Sequence, residues 1–358
     1  MELFSLDHEV ESGQVSLEAI QLESGDILED IKVAYERAGN LNRPVILVCH
    51  ALTGNQHAAG KGGDPGWWSG LIGEQKTIDL QEWQVISMNV LGGCHGTTGP
   101  TSIDPRTQES YRTDFPFITI RDMAKVHHAA LKELGIHQIH AAIGGSLGGM
   151  QVLELGIMYP DFVRHLFPLA VTPFLSDYGI AFNAIGRKAI INDPLWQGGN
   201  YDPSEPPRDG LSTARMVGMV TYRTSASFND RFNRVKKEEG TTHNGKDFDV
   251  ESYLHYQGEK LTKRFDANSY LYLLKAMDSH DIGRRRGGWK EVLKHIKADV
   301  TVIGYKGDLL YPPEMMKEMA EALPSASFHE VDTTYGHDGF LVEFEKWGSI
   351  IKEGLYDD

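Results

Sequence analysis

The sequence predicts an α/β fold in which a mostly parallel sheet, flanked by helices, carries an inserted and mostly helical segment. Three observations predict it. From about residue 15 to 170, short apolar runs alternate with helical stretches, the pattern left by parallel strands joined through crossover helices. Over residues 172–295 the character changes: Tyr201-Asp202-Pro203-Ser204-Glu205-Pro206-Pro207 leads into polar helical patterns rich in Arg, Tyr and Met, without a strand run. Strand runs return at Val300-Thr301-Val302-Ile303 and, more weakly, from Ala326 to Val331, and a last helical stretch follows Gly339. The expected division is a core of residues 1–171 and 296–358 with a helical cap of residues 172–295. Such a cap would cover the C-terminal strand edge, where ligands bind in open α/β sheets.

The elements follow in order. Pro44-Val45-Ile46-Leu47-Val48-Cys49 is continuously apolar, as a strand covered on both faces must be, and it ends in His50-Ala51-Leu52-Thr53-Gly54. Trp83 to Val90 and Ile139 to Ile143 have the same character. Between them, Thr119-Ile120-Arg121-Asp122 resembles a capping box with Asp in place of Glu, opening an amphipathic crossover helix that stops at Gly135.

Bulk properties narrow the function classes. At 358 residues and 41% hydrophobic, the chain can bury a full core. Its net charge of -15 repels nucleic acid and anionic membranes, although a local basic patch remains able to hold an anionic ligand. Two cysteines, Cys49 and Cys94, supply no disulfide framework. The stretch MELFSLDHEVESG lacks the basic start and apolar run of a secretory signal, and no segment is apolar over the ~20 residues needed to span a bilayer. A cytoplasmic protein is expected.

The sharpest motif is Gly144-Gly145-Ser146-Leu147-Gly148, a G-x-S-x-G pattern with a strand before it and a helical run to Tyr159 after it. That context suits the strained turn which exposes a nucleophilic serine, whereas a phosphate loop would need a Lys-Ser/Thr that is missing. A serine hydroxyl needs a base, and the base a group to orient it. In the α/β-hydrolase fold the chain order is Ser, acid, His. Asp308 follows the strand at 300–303, and His337 occupies the next strand-end loop, so Asp308 is the expected acid and His337 the expected base. The oxyanion expected at the substrate carbonyl would meet the backbone N–H of Leu147 and that of Leu52 or Thr53. His127 and His128 fall inside the crossover helix, where packing is the simpler role, and no H-E-x-x-H pattern suggests a metal.

Beyond the serine turn, His50-Ala51-Leu52-Thr53-Gly54, Gly66-Trp67-Trp68, Asn89-Val90-Leu91-Gly92-Gly93-Cys94, Gly99-Pro100, Phe265-Asp266-Ala267-Asn268-Ser269-Tyr270-Leu271 and Gly336-His337-Asp338 make the chain resemble, nearly end to end, the homoserine O-acetyltransferases. These are α/β-hydrolase-fold acyltransferases of methionine biosynthesis. The resemblance implies a ping-pong reaction in which acetyl-CoA, a co-substrate and not a tightly bound cofactor, acylates Ser146, and the L-homoserine hydroxyl then takes the acetyl group. It implies that Arg215 holds the homoserine carboxylate and Asp338 its ammonium, that Tyr222 faces the site, and that the protein is a homodimer. Arg284-Arg285-Arg286 is a candidate for the CoA phosphates, weighed against a solvated basic face. A succinyl donor, a serine acceptor, and an esterase or thioesterase using water share the same triad and stay open as alternatives.

Overall fold

The computed structural model describes residues 10–61, 63–236 and 247–356; residues 1–9, most of the stretch read for an export signal, lie outside them. Eight strands form the main sheet: β1 (Val10–Gln21), β2 (Ile27–Gly39), β3 (Val45–Cys49), β4 (Gln84–Met88), β5 (Ile139–Gly145), β6 (Val163–Leu169), β7 (Asp299–Tyr305) and β8 (Ala326–Val331). Their spatial order is β1-β2-β4-β3-β5-β6-β7-β8. The pairs β1–β2 and β2–β4 are antiparallel and the rest parallel, so the expected mostly parallel sheet is present.

Strand β3 shows why its sequence is apolar throughout. All five of its residues are buried, with Val45, Leu47 and Cys49 facing one hydrophobic core and Ile46 and Val48 the other. A strand with helices on both sides must be apolar in both parities of its alternation, and each large aliphatic side chain so buried contributes roughly 1.5–3 kcal/mol.

Helix α1 (Ile120–Glu133) begins with the expected capping box: the Asp122 N–H donates to Thr119 Oγ1, and the Thr119 N–H donates to Asp122 Oδ2 at 2.9 Å. Helix α2 (Leu147–Met158) follows β5 and packs against β5 and β6. Between β6 and β7 the chain runs through α3 (Asp177–Ile191), α4 (Arg208–Thr221), α5 (Ser225–Phe232), α6 (Asp249–Thr262), α7 (Ala267–Asp278) and the short α8 (Trp289–Leu293). Helices α3, α4, α6 and α7 pack on one another. Helix α9 (Pro313–Glu321) joins β7 to β8, and α10 (Phe344–Tyr356) closes the chain. No helix among the described residues is long and apolar enough to cross a membrane.

Candidate active site

Ser146 sits between β5 and α2 with φ 58° and ψ -124°, a left-handed conformation that costs a non-glycine residue energy and holds its side chain out of the turn. The backbone is pinned by its N–H donating to the Leu169 carbonyl at 3.0 Å. The flanking glycines are steric requirements: a Cβ on Gly148 would meet the Cys49 carbonyl at 2.1 Å, and one on Gly144 would meet the Gly148 backbone at 2.6 Å. Any side chain at either position would push the elbow off the end of β3.

Asp308 lies in the loop after β7, where its Oδ1 accepts the N–H groups of Leu310 and Tyr311 at 2.9 and 3.0 Å. Its Oδ2 accepts from His337 Nδ1 at 2.7 Å, and both side chains are buried. A carboxylate only accepts, so Nδ1 carries a proton, and it is the neutral ring, with a lone pair on Nε2, that can act as a base. The Tyr311 ring stacks on the imidazole at 5.1 Å and 28°, and Phe340 meets it edge-on at 5.4 Å. These contacts fix the ring plane.

Ser146 and His337 line one cavity of about 80 Å³. The hydrogen bond that the structure gives the imidazole runs to Asp308, and the Ser146 hydroxyl is a polar neighbour of the buried Tyr311 hydroxyl, which lacks a full hydrogen bond of its own. Burial, the larger influence, raises the Tyr311 phenol well above its ordinary range, while the neighbouring serine lowers it somewhat. Sequence reasoning missed Tyr311 because nothing local marks a tyrosine that packs against residues so distant in the chain.

Leu147 is the first residue of α2, where an N–H has no partner within its helix, and Leu52 lines the cavity. The loop carrying Leu52 is held by His50, whose Nε2 accepts the Val90 N–H at 3.1 Å and whose Nδ1–H donates to the Ala51 carbonyl at 2.7 Å. Burial pushes the His50 imidazole down to about 3, so it stays neutral and this hydrogen-bond pattern persists.

Arg215, Tyr222 and Asp338 line the same cavity, from α4, its C-terminal cap and the His337 loop. The Arg215 guanidinium lies 5.6 Å from the Tyr222 ring centroid and 3.5 Å from Thr53 Oγ1. Tyr222 is 5.7 Å from the His337 ring, and its carbonyl accepts the Asp338 N–H at 2.9 Å, which ties the end of α4 to the histidine loop. Asp338 is also ion-paired: its Oδ2 accepts from Arg223 Nε at 3.0 Å. Arg223 went unnoticed in the sequence, where its position beside Tyr222 carries no signal.

Two of the three arginines are spent elsewhere. Arg284 pairs with Glu23 at 2.9 Å and Arg286 with Glu154 at 2.8 Å, while Arg121 bridges both carboxylates at 2.8 and 3.1 Å. These are bonds that fasten the chain after α7 to α1 and α2, so Arg284 and Arg286 are corrected from phosphate ligands to structural cations. The two helix histidines pack as expected, His127 on Gln151 at 2.8 Å and His128 stacked on Tyr159 at 3.7 Å.

Residues 44–344 match the model of the alpha/beta hydrolase fold family. A homoserine O-acetyltransferase of Carboxydothermus hydrogenoformans is 45% identical over 97% of this chain and 95% of its own length. The chain belongs to the homoserine O-acetyltransferase family. Among solved structures, homoserine O-acetyltransferase from Bacillus anthracis superposes with a TM-score of 0.91 at 28% identity, covering 98% of both chains. Esterase E22 is also similar, with a TM-score of 0.89 at 27% identity over 97% of this chain and 100% of that one. The family and fold are thus those that the motifs around Ser146 and His337 led one to expect.

Proposed function

We propose that the protein is a homoserine O-acetyltransferase, transferring acetyl from acetyl-CoA to the hydroxyl of L-homoserine in methionine biosynthesis. In the first half-reaction His337 Nε2 takes the Ser146 proton as Oγ attacks the thioester carbon. The N–H groups of Leu52 and Leu147 meet the oxyanion. The C–S bond then breaks, and His337 returns the proton to the departing CoA sulfur. In the second, His337 takes the proton of the homoserine hydroxyl, that oxygen attacks the acetyl carbon, and Ser146 leaves with the proton restored. Asp308 orients the imidazole and stabilises its transient charge.

What carries this reading is the company Ser146 keeps: its cavity is lined by one guanidinium, Arg215, and one carboxylate, Asp338. A zwitterionic amino acid presents a carboxylate and an ammonium, and an arginine fork suits the former. Arg223 occupies one oxygen of Asp338, leaving the other for the ammonium. Tyr222 packs beside both Arg215 and His337 as a wall of this site. The segment 172–295 acts as a cap that keeps water from the acyl-enzyme. Acetyl-CoA enters as co-substrate and leaves as CoA, and a cytoplasmic homodimer is the assembly that goes with this reading.

The similarity to esterase E22 favours one competitor, hydrolysis of the acyl-enzyme by water. Free-thiol release from acetyl-CoA, followed with and without L-homoserine, separates the two. Release that depends on homoserine is expected; equal release in its absence would make the protein a thioesterase.

A further inference from the structure

The inner cavity, at about 80 Å³, is far too small for the nucleotide end of CoA. A second and larger cavity, about 520 Å³, is lined by Arg112, Lys263, Arg264, Tyr201 and Asp266 among others. Thr53 stands between the two. Its Oγ1 is 3.5 Å from Arg215 of the inner cavity, and its carbonyl accepts Arg264 Nη1 at 2.7 Å from the outer one. The outer cavity therefore adjoins the oxyanion loop.

The basic side chains there stand outside the ion pairs of the structure. Among the described residues, the ion pairs of the structure include none made by Arg112, Lys263 or Arg264. The one carboxylate lining the cavity is already occupied: Asp266 accepts the Tyr201 hydroxyl and, at 2.7 Å, the Ser269 N–H as the N-cap of α7. Burial and then the Arg215 charge lower the affinity of Arg264 for its proton, a strain that a bound anion would relieve. In a protein of net charge -15, a polyanion needs such a local cluster to be held at all.

We propose that this outer cavity seats the phosphorylated, nucleotide end of the CoA thioester, with Arg264, Lys263 and Arg112 as its cations. The pantetheine arm then passes Thr53 to bring the thioester to Ser146. This rests on acetyl-CoA being the donor. It gives Arg264 a role separate from that of Arg215, which faces the acceptor.

The test compares acetyl-CoA with S-acetyl-pantetheine, which has the same thioester and arm but no phosphates, using the full chain and saturating homoserine. The wild type should prefer acetyl-CoA in kcat/KM. Arg264→Ala should cut that preference about tenfold, the loss expected of a charge-assisted hydrogen bond. The triple variant with Lys263→Ala and Arg112→Ala should bring it towards unity. Arg264→Lys, which keeps the charge, should restore part of it, so a fold lost on truncation is recognised. A preference unchanged in Arg264→Ala and in the triple variant, or absent from the wild type, overturns the assignment. A wild type that acetylates homoserine from neither donor refutes the acetyltransfer reading itself.

Discussion

His337 Nδ1 donates to Asp308 Oδ2 at 2.7 Å while the other oxygen of that carboxylate accepts two backbone N–H groups, so the acid is anchored to its loop before it orients the base. Asp308→Asn is expected to keep the packing but offer the imidazole the wrong partner. Its kcat should fall by on the order of 10⁴, with a much smaller change in thermal stability. A variant retaining a tenth of wild-type kcat would remove Asp308 from the mechanism.

Arg215 and Asp338 predict opposite halves of acceptor recognition. Arg215→Lys keeps the charge but loses the fork, and Arg215→Ala loses both. We expect the alanine variant to raise the homoserine KM about tenfold to a hundredfold, from the loss of ~1.5–3 kcal/mol of charged hydrogen bonding, with lysine intermediate. Steady-state kinetics at saturating acetyl-CoA measure this, and an unchanged KM in the alanine variant would contradict it.

The Arg223–Asp338 pair makes a finer prediction, since Arg223 holds the carboxylate at 3.0 Å without being expected to touch substrate. Asp338→Asn should weaken homoserine binding strongly, and Arg223→Ala more mildly, through a carboxylate left free to turn. Equal effects in the two variants would mean that the ion pair, and not the ammonium contact, is what matters.

Buried histidines set the acid side of stability. Burial lowers His50 to about 3 and His127 and His280 to about 4, from an ordinary value of 6.5. As pH falls below 6.5 the unfolded chain takes up protons on these rings and the folded chain does not. The unfolded state therefore binds more protons, and stability is lost between pH 6.5 and about 4, at up to ~1.4 kcal/mol per pH unit for each ring. Calorimetry should find Tm falling between pH 7 and 5.5, above the range where ordinary carboxylates titrate. A Tm constant over that interval would contradict the assignment of these rings as neutral and buried.

Much of this was legible in the sequence, for identifiable reasons. Strand β3 and the elbow at Ser146 announce themselves because both-face burial and a tight turn leave few residue choices. Asp308 and His337 could be chosen from many acids and histidines because strand-end position and chain order constrain them. The ribbon of β1 and β2 was not singled out, since its exposed residues, such as Lys32 and Glu29, break the apolar run. Strand β6 was hidden by the exposed Arg164 and by Pro168. Arg284 and Arg286 were misread because their partners, Glu23 and Glu154, lie more than a hundred residues away. Arg223, Tyr311 and Arg264 take their surroundings from long-range packing that no local pattern encodes.

If the acyl group passes through Ser146, it can be trapped there. The protein is mixed with acetyl-CoA without homoserine, quenched in acid and digested, and the peptide containing Ser146 is weighed by mass spectrometry. One acetyl group on Ser146 is expected, discharged when homoserine is added before the quench and absent in Ser146→Ala. An unmodified Ser146 in a preparation that still turns over, or full turnover by Ser146→Ala, would contradict it.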